Sequence, residues 1–271
     1  MTSYIRPEWR HAIGGFLEWQ ASAGLPATTR KTRGEHLQHL ARRVKCGPWE
    51  LTIVQLTRYM SQNDWAPETR RGRRSTFVAF WEYAIERGFA EANLGRELPR
   101  VKAGKPAPRP IPESAYREAL TRADARMRLA LRLAHDLGLR RAEIAQIHSD
   151  DLVEDFIGWS LRVHGKGAKT RVIPLTARIA LELRSLPDGW AFPGDDQGHL
   201  SPRWLGKLAS KVLPHPYTMH TLRHSFASRA YAHDRDLLAV QELLGHASPA
   251  TTRTYVVLPD DSLRRTIDAI A

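Results

Sequence analysis

The sequence predicts a mainly α protein with a small β-hairpin (α+β), divided into an N-terminal helical domain and a larger mixed C-terminal domain. Three observations predict this. Apolar residues recur at helical spacing through most of the 271 residues. One stretch, Trp159 to His164, instead alternates with the period of a half-buried strand. The segment 99–112, PRVKAGKPAPRPIP, holds five prolines, cannot continue a helix and forms an extended, semi-rigid spacer. Domains are therefore expected at 1–98 and 113–271, joined by that linker.

Taken in order, the N-terminal part reads as a bundle of about four helices. They run from Pro7 to Ala23, stopped by Gly24; from Ala27 to Val44, with Thr28 or Thr29 as cap; from Thr52 to Gln62; and from Pro67 to Arg87, stopped by Gly88. The fourth aligns Phe77, Phe80, Trp81, Ala84 and Ile85 in a core-facing stripe. It opens with ETRRGRRST, which puts Arg70, Arg71, Arg73 and Arg74 at the end away from those aromatics, where they could meet DNA phosphates. Five of the eight Trp lie in this part, and core packing is their expected role. In the C-terminal part, helices are expected at Glu113 to Ala123, Ala125 to Leu137, Arg141 to Ile147, Thr176 to Arg184, Pro202 to Val212, His220 to Ala232 and Leu237 to Leu243. Trp159, Leu161 and Val163 alternate with Ser160, Arg162 and His164, and Gly165 to Ala168 turns the chain into a second strand, Thr170 to Leu175. Lys166 lies at the tip of that hairpin.

With 42% hydrophobic residues the chain can bury a core, so disorder is excluded. Its apolar runs break well short of the ~20 residues of a membrane span, and MTSYIRPEWR holds no signal core, which leads us to expect a cytoplasmic protein. The single cysteine, Cys46, rules out an internal disulfide or a Cys-based zinc site and is expected to be a small buried residue. The net charge of +12 is uneven: residues 1–110 carry 19 Lys and Arg against 10 Asp and Glu, residues 111–271 carry 22 against 19. A basic N-terminal face attracts polyanions and fits DNA, with Lys102 and Lys105 of the linker adding to it.

Chemistry gathers in the C-terminal part. The segments are DLGLRRAEI with Arg140 and Glu143, VHGKGAKTRVIPL with Lys166, HTLRHSF with His220 and Arg223, and LLGHASPATTRTY with His246 and Tyr255. Singly they are weak. With 33 Arg and 12 His in the chain, an H-x-x-R pattern arises by accident roughly 1.5 times, and His39 with Arg42 is such an accident. Order and spacing carry the specificity. The four segments together resemble the tyrosine recombinases of the phage-integrase type, over residues 7–258 and most closely over 130–257. The resemblance implies a helical, SAM-like core-binding domain followed by a catalytic domain, closing on duplex DNA as a clamp.

Cleaving a phosphodiester needs a nucleophile, a proton for the leaving oxygen and positive charge on the non-bridging oxygens. By resemblance, Tyr255 is the nucleophile that forms a 3′-phosphotyrosine. Arg140 and Arg223 clamp the non-bridging oxygens, Lys166 protonates the leaving 5′-oxygen, His220 is the acid/base and His246 a hydrogen-bond donor. Glu143 matches the family's acidic position and is expected to hold Arg140 or His220. No cofactor and no metal is implied. His220 and His224 stand one turn apart and, with His215 and His246, could suggest zinc, but no acidic partner lies at ligand spacing.

The function expected is a site-specific integrase of a phage or mobile element. The partners expected are double-stranded attachment or core sites, with four protomers on two sites, a monomer or dimer off DNA, and a possible directionality factor. The first helix begins by residue 7, leaving no room for an arm-binding domain, so a Xer-like chromosome or plasmid resolvase stands as the alternative. A non-catalytic regulator on the same fold would have a broken site, and a type IB topoisomerase would lack the core-binding pattern. After Pro259, Leu263, Ile267 and Ile270 share one face of a tail helix, which by resemblance docks into a neighbouring protomer, the alternative being that it packs onto its own domain.

Overall fold

Residues 4–102, 109–165 and 169–245 are described by the computed structural model, which divides the chain into a unit of Met1–Lys105 and a unit of Pro106–Ala271. In the first, α1 (Pro7–Ser22) and α4 (Pro67–Glu86) start on a proline, whose missing N–H costs nothing in a first turn. Between them lie α2 (Ala27–Ala41) and α3 (Ile53–Ser61), and after them a short α5 (Leu94–Glu97). The Thr52 hydroxyl caps α3 by accepting from the Gln55 amide, while the Gln55 side chain accepts from the Thr52 amide at 2.9 Å. Helix α2 has no such cap. Extended Pro26 sets its start, and Thr28 and Thr29, expected as caps, lie inside the first turn.

Aromatic rings fill this unit. Trp9, Phe16, Phe77, Phe80 and Trp81 are each at most 1% exposed. Phe80 meets Phe16 edge-on at 5.4 Å and stacks with Trp49 at the same distance. Ile85, expected in the stripe, is exposed instead. Tyr83 takes the buried place because its ring reaches Phe16 and Trp19 of α1, each at 5.8 Å, which turns the stripe towards α1. Cys46 is half-buried rather than buried, and its carbonyl accepts from the Trp9 indole at 2.9 Å.

The second unit is built on α7 (Ala125–Asp136), buried along most of its length through Met127, Leu129, Ala130, Leu131, Leu133 and Ala134. Around it stand α6 (Glu113–Arg122), α8 (Arg141–Ala145), α9 (Ala177–Arg184), α10 (Pro202–Val212), α11 (Met219–Asp234) and α12 (Leu237–Leu244). A three-stranded antiparallel sheet lies in the order β1 (Leu152–Glu154), β2 (Trp159–His164), β3 (Thr170–Pro174). Leu161 pairs with Ile173 on one side and Leu152 on the other, and Val163 pairs with Arg171. These residues share the inner face. The mainly α architecture with a small sheet is the one the sequence predicts; β1, three residues long, carries too little alternation to be read.

The arginines at the start of α4 are not a free cationic end. Arg70 donates from Nε to the Trp65 carbonyl at 2.9 Å and from Nη2 to that of Asn63 at 3.1 Å. Arg73 donates to the Tyr59 hydroxyl at 2.9 Å and lies 4.0 Å over the Trp65 ring, so an aromatic sits at this end too. Arg74 donates to the carbonyls of Leu98 and Arg96 at 3.1 and 3.2 Å. Arg71 is different: it pairs with Glu68 at 2.8 Å with its side chain 45% exposed. We therefore expect Arg70→Ala, Arg73→Ala and Arg74→Ala each to destabilise the full chain by roughly 1–3 kcal/mol, as loss of charged hydrogen bonds does. Arg71→Ala should cost under about 0.5 kcal/mol. Urea unfolding of the four variants checks this; equal losses for all four would contradict the assignment.

Candidate active site

The site begins where α7 ends. Gly138 turns the chain at φ +65°, and a Cβ there would lie 2.4 Å from the Phe226 ring and 2.9 Å from a Leu244 methyl. Only glycine combines that conformation with contact to both α11 and α12. Leu139 is buried at 1% exposure, and Arg140 follows in extended conformation as the N-cap of α8.

One carboxylate, that of Glu143, organises the cluster around Arg140. Glu143 Oε2 accepts from the Arg140 amide at 2.8 Å, and Oε1 from Arg140 Nη1 at 2.7 Å. Arg171 approaches from β3 as a fork: Nη1 to Oε1 and Nη2 to Oε2, each at 2.9 Å. Arg223 Nη1 stands 3.9 Å from Oε2. Burial alone would raise the Glu143 carboxyl, but Arg171 and then Arg140, by hydrogen bonds and charge, outweigh it and hold the group at about 2.

The same guanidiniums secure the end of α12. Arg171 Nε donates to the carbonyl of Leu243 at 2.9 Å, Arg223 Nη2 to that of Leu244 at 2.7 Å, and Arg140 Nη2 to that of Gly245 at 3.2 Å. Arg223 Nη1 donates to the Gly138 carbonyl. His220 and Arg223 stand one turn apart at the start of α11, whose first turn is capped by the Thr218 hydroxyl accepting from the His220 amide at 3.2 Å. Desolvation, then the charges of Arg223 and Arg140, lower the His220 pKa and favour the neutral imidazole. Arg140, Arg141, Gly206, Thr218, His220 and Arg223 line one cleft of about 500 Å³.

The structure thus brings together Arg140, Glu143, His220 and Arg223. Lys166, His246 and Tyr255, the tail helix, and Lys105 lie outside the described residues; the described chain reaches Gly165 and resumes at Lys169 on the hairpin, and reaches Gly245 at the end of α12. Lys102 is exposed in the first unit. Glu143 holds Arg140, one of the two partners expected for it. Among the described residues no group of three His, Cys, Asp or Glu is placed to hold a metal ion, and no helix is long and apolar enough to cross a membrane. Sequence reasoning missed Arg171. A signal existed: on β3 it shares the inward face with Ile173, and a charge at an inward strand position needs a partner.

Because the folded pKa of Glu143 is depressed, its contribution is fully present above the unfolded carboxylate range and lost as pH falls towards 2. That contribution is about 3 kcal/mol. Glu143→Gln should therefore unfold more easily than wild type by about this amount at pH 7, and the gap should close between roughly pH 4.5 and 2. Urea titrations across that range measure it; a gap independent of pH would show that the carboxylate charge is not what stabilises the site.

The model of the phage integrase family matches residues 113–261. The tyrosine recombinase XerC of Chromobacterium violaceum is 32% identical over 218 residues, 72% of this chain and 71% of the relative. The tyrosine recombinase XerD of Caulobacter vibrioides is 31% identical over 225 residues, 73% of each. Among solved structures, a lambda integrase dimer bound to a COC′ core site superposes with a TM-score of 0.75 at 18% identity, covering 91% of this chain and 76% of that one. The XerH recombinase bound to a palindromic difH substrate gives 0.64 at 20% identity, covering 88% and 75%. The two structures share the fold, while the family model and the curated relatives carry the assignment: the chain belongs to the phage integrase family of tyrosine recombinases, enzymes of DNA strand exchange.

Proposed function

We propose that this recombinase breaks and rejoins DNA at a specific site through a 3′-phosphotyrosine on Tyr255, and that it integrates and excises a phage or other mobile element. The observation that carries the reading is the cleft in which Arg140, Arg223 and His220 converge over the buried Glu143. A planar guanidinium fork matches the non-bridging oxygens of a phosphodiester better than an ammonium does. In the proposed reaction the Tyr255 oxygen forms a bond to phosphorus as the bond to the 5′-oxygen breaks. The phenol proton passes to the neutral His220 imidazole, and Lys166 gives its proton to the departing 5′-oxygen. His246 adds a hydrogen bond to the phosphate. A second 5′-hydroxyl reverses these steps on the partner strand, so no ATP is consumed.

The DNA partner is a duplex core site. Arg71, Arg74 and Arg100 line one groove of the first unit, and with exposed Lys102 they form the proposed phosphate-facing surface. Lys105, the other linker lysine, is proposed as a further phosphate contact. Four protomers on two sites, linked by the tail helix, are the proposed working assembly. The names of the curated relatives, XerC and XerD, favour a second reading, a chromosome or plasmid resolvase. Mapping covalent adducts across the host genome separates the two: adducts at the ends of a mobile element support the integrase, and adducts at a site where multimers become monomers support the resolvase.

Tyr255→Phe should bind the mapped duplex with unchanged affinity and form no SDS-resistant adduct, because only the attacking hydroxyl is gone. Lys166→Ala should regain cleavage on a substrate with sulfur at the 5′-bridging position, a leaving group that needs no proton, whereas Arg140→Ala and Arg223→Ala should not. An adduct with Tyr255→Phe, or equal rescue of all three cation variants, would refute the assignment.

A further inference from the structure

The geometry points to Arg171 as a positioning residue for the cleavage step, one that orients Arg140 through Glu143 and fixes the C-terminal end of α12 without touching DNA itself. The inference rests on the proposed recombinase chemistry. Arg171 sits on β3, opposite Val163, with its side chain 12% exposed. Three of its N–H groups are spent, and on two elements other than its own: two on Glu143 and one on the Leu243 carbonyl.

Each of those bonds sets something the reaction uses. Glu143 is 3% exposed and holds both the amide and the guanidinium of Arg140, whose side chain is 38% exposed and lines the cleft. Arg171 occupies both carboxylate oxygens from the opposite side, so the plane of the carboxylate, and with it the direction of Arg140, is fixed by the fork. Without Arg171 the carboxylate keeps Arg140 but loses its second anchor and can swing towards Arg223, already 3.9 Å away. The Nε bond acts at another point: Leu243 lies two residues before Gly245, and a Cβ at Gly245 would fall 2.9 Å from Arg171 Nη1. The Arg171 side chain thus shapes the end of α12 from which the chain runs on to His246 and Tyr255. Arg171 also follows Lys166 by five residues in the chain. One side chain ties three of the segments that carry the reaction.

The test uses the full chain on a nicked duplex bearing the mapped cleavage site, with either a natural scissile phosphate or a methylphosphonate there. A methylphosphonate lacks the non-bridging charge that Arg140 meets. Arg171→Ala should bind both duplexes as wild type does and cleave the natural one on the order of 10²-fold more slowly, the effect of a misplaced catalytic group. On the methylphosphonate its deficit should shrink, in parallel with that of Arg140→Ala. Arg171→Lys keeps the charge but not the fork; it should show a smaller deficit with the same substrate dependence, and it carries the test if Arg171→Ala does not fold. Wild-type cleavage rates in the variants, or an equal slowing on both substrates, would overturn the inference. No adduct with wild type itself would instead overturn the recombinase reading.

Discussion

The second unit depends on the Glu143 carboxylate. Three guanidiniums gather within a few ångströms of it, and like charges 4 Å apart repel by about 4 kcal/mol even at an effective dielectric of 20. Arg140, Arg171 and Arg223 come from three separate elements, the start of α8, the inner face of β3 and the start of α11. Without a shared counter-charge those elements would be pushed apart where the three guanidiniums meet. A buried ion pair seldom adds net stability over a well-packed apolar pair. Here it sets position: the carboxylate determines where each fork can sit.

The first unit uses the same residue type for another purpose. Arg70, Arg73 and Arg74 reach carbonyls and a hydroxyl of the segments beside α4, in a helix whose interior is already committed to aromatic packing. The forks of Arg70 and Arg74 tie backbone carbonyls to α4, and that of Arg73 a tyrosine hydroxyl. Positive charge in this chain is thus partly structural, and the unevenness of the composition overstates the cationic surface left for a partner.

Much of this is legible in the sequence, and the exceptions have physical causes. Helices opening on Pro7 and Pro67, the Phe77–Phe80–Trp81 stripe and the hairpin strands follow from local rules, and the structure has them. Helix α5 and strand β1 are too short for any periodicity. Ile85 misleads because the choice between it and Tyr83 is made by rings on α1, distant in sequence. Arg140, Glu143, His220 and Arg223 can be read because each pair is spaced three apart at the start of a helix and the segments occur in a known order. Arg171 cannot be read as easily, since its partners are 28 and 72 residues away and neither leaves a trace around it. The internal bonds of Arg70 and Arg74 are hidden for a similar reason: their acceptors are backbone carbonyls, which every residue has.

The end of α12 has a consequence for the resting enzyme. A helix terminates in carbonyl oxygens that its own amides cannot satisfy, and their dipoles sum to roughly half a negative charge. Here the carbonyls of Leu243, Leu244 and Gly245 are each taken by a different guanidinium. The cluster of cations is thereby held in shape by a diffuse counter-charge that the backbone itself supplies. On the proposed reading a phosphate would meet Arg140 already aimed, and the reorganisation that open, mutually repelling cations need has been done by the backbone during folding.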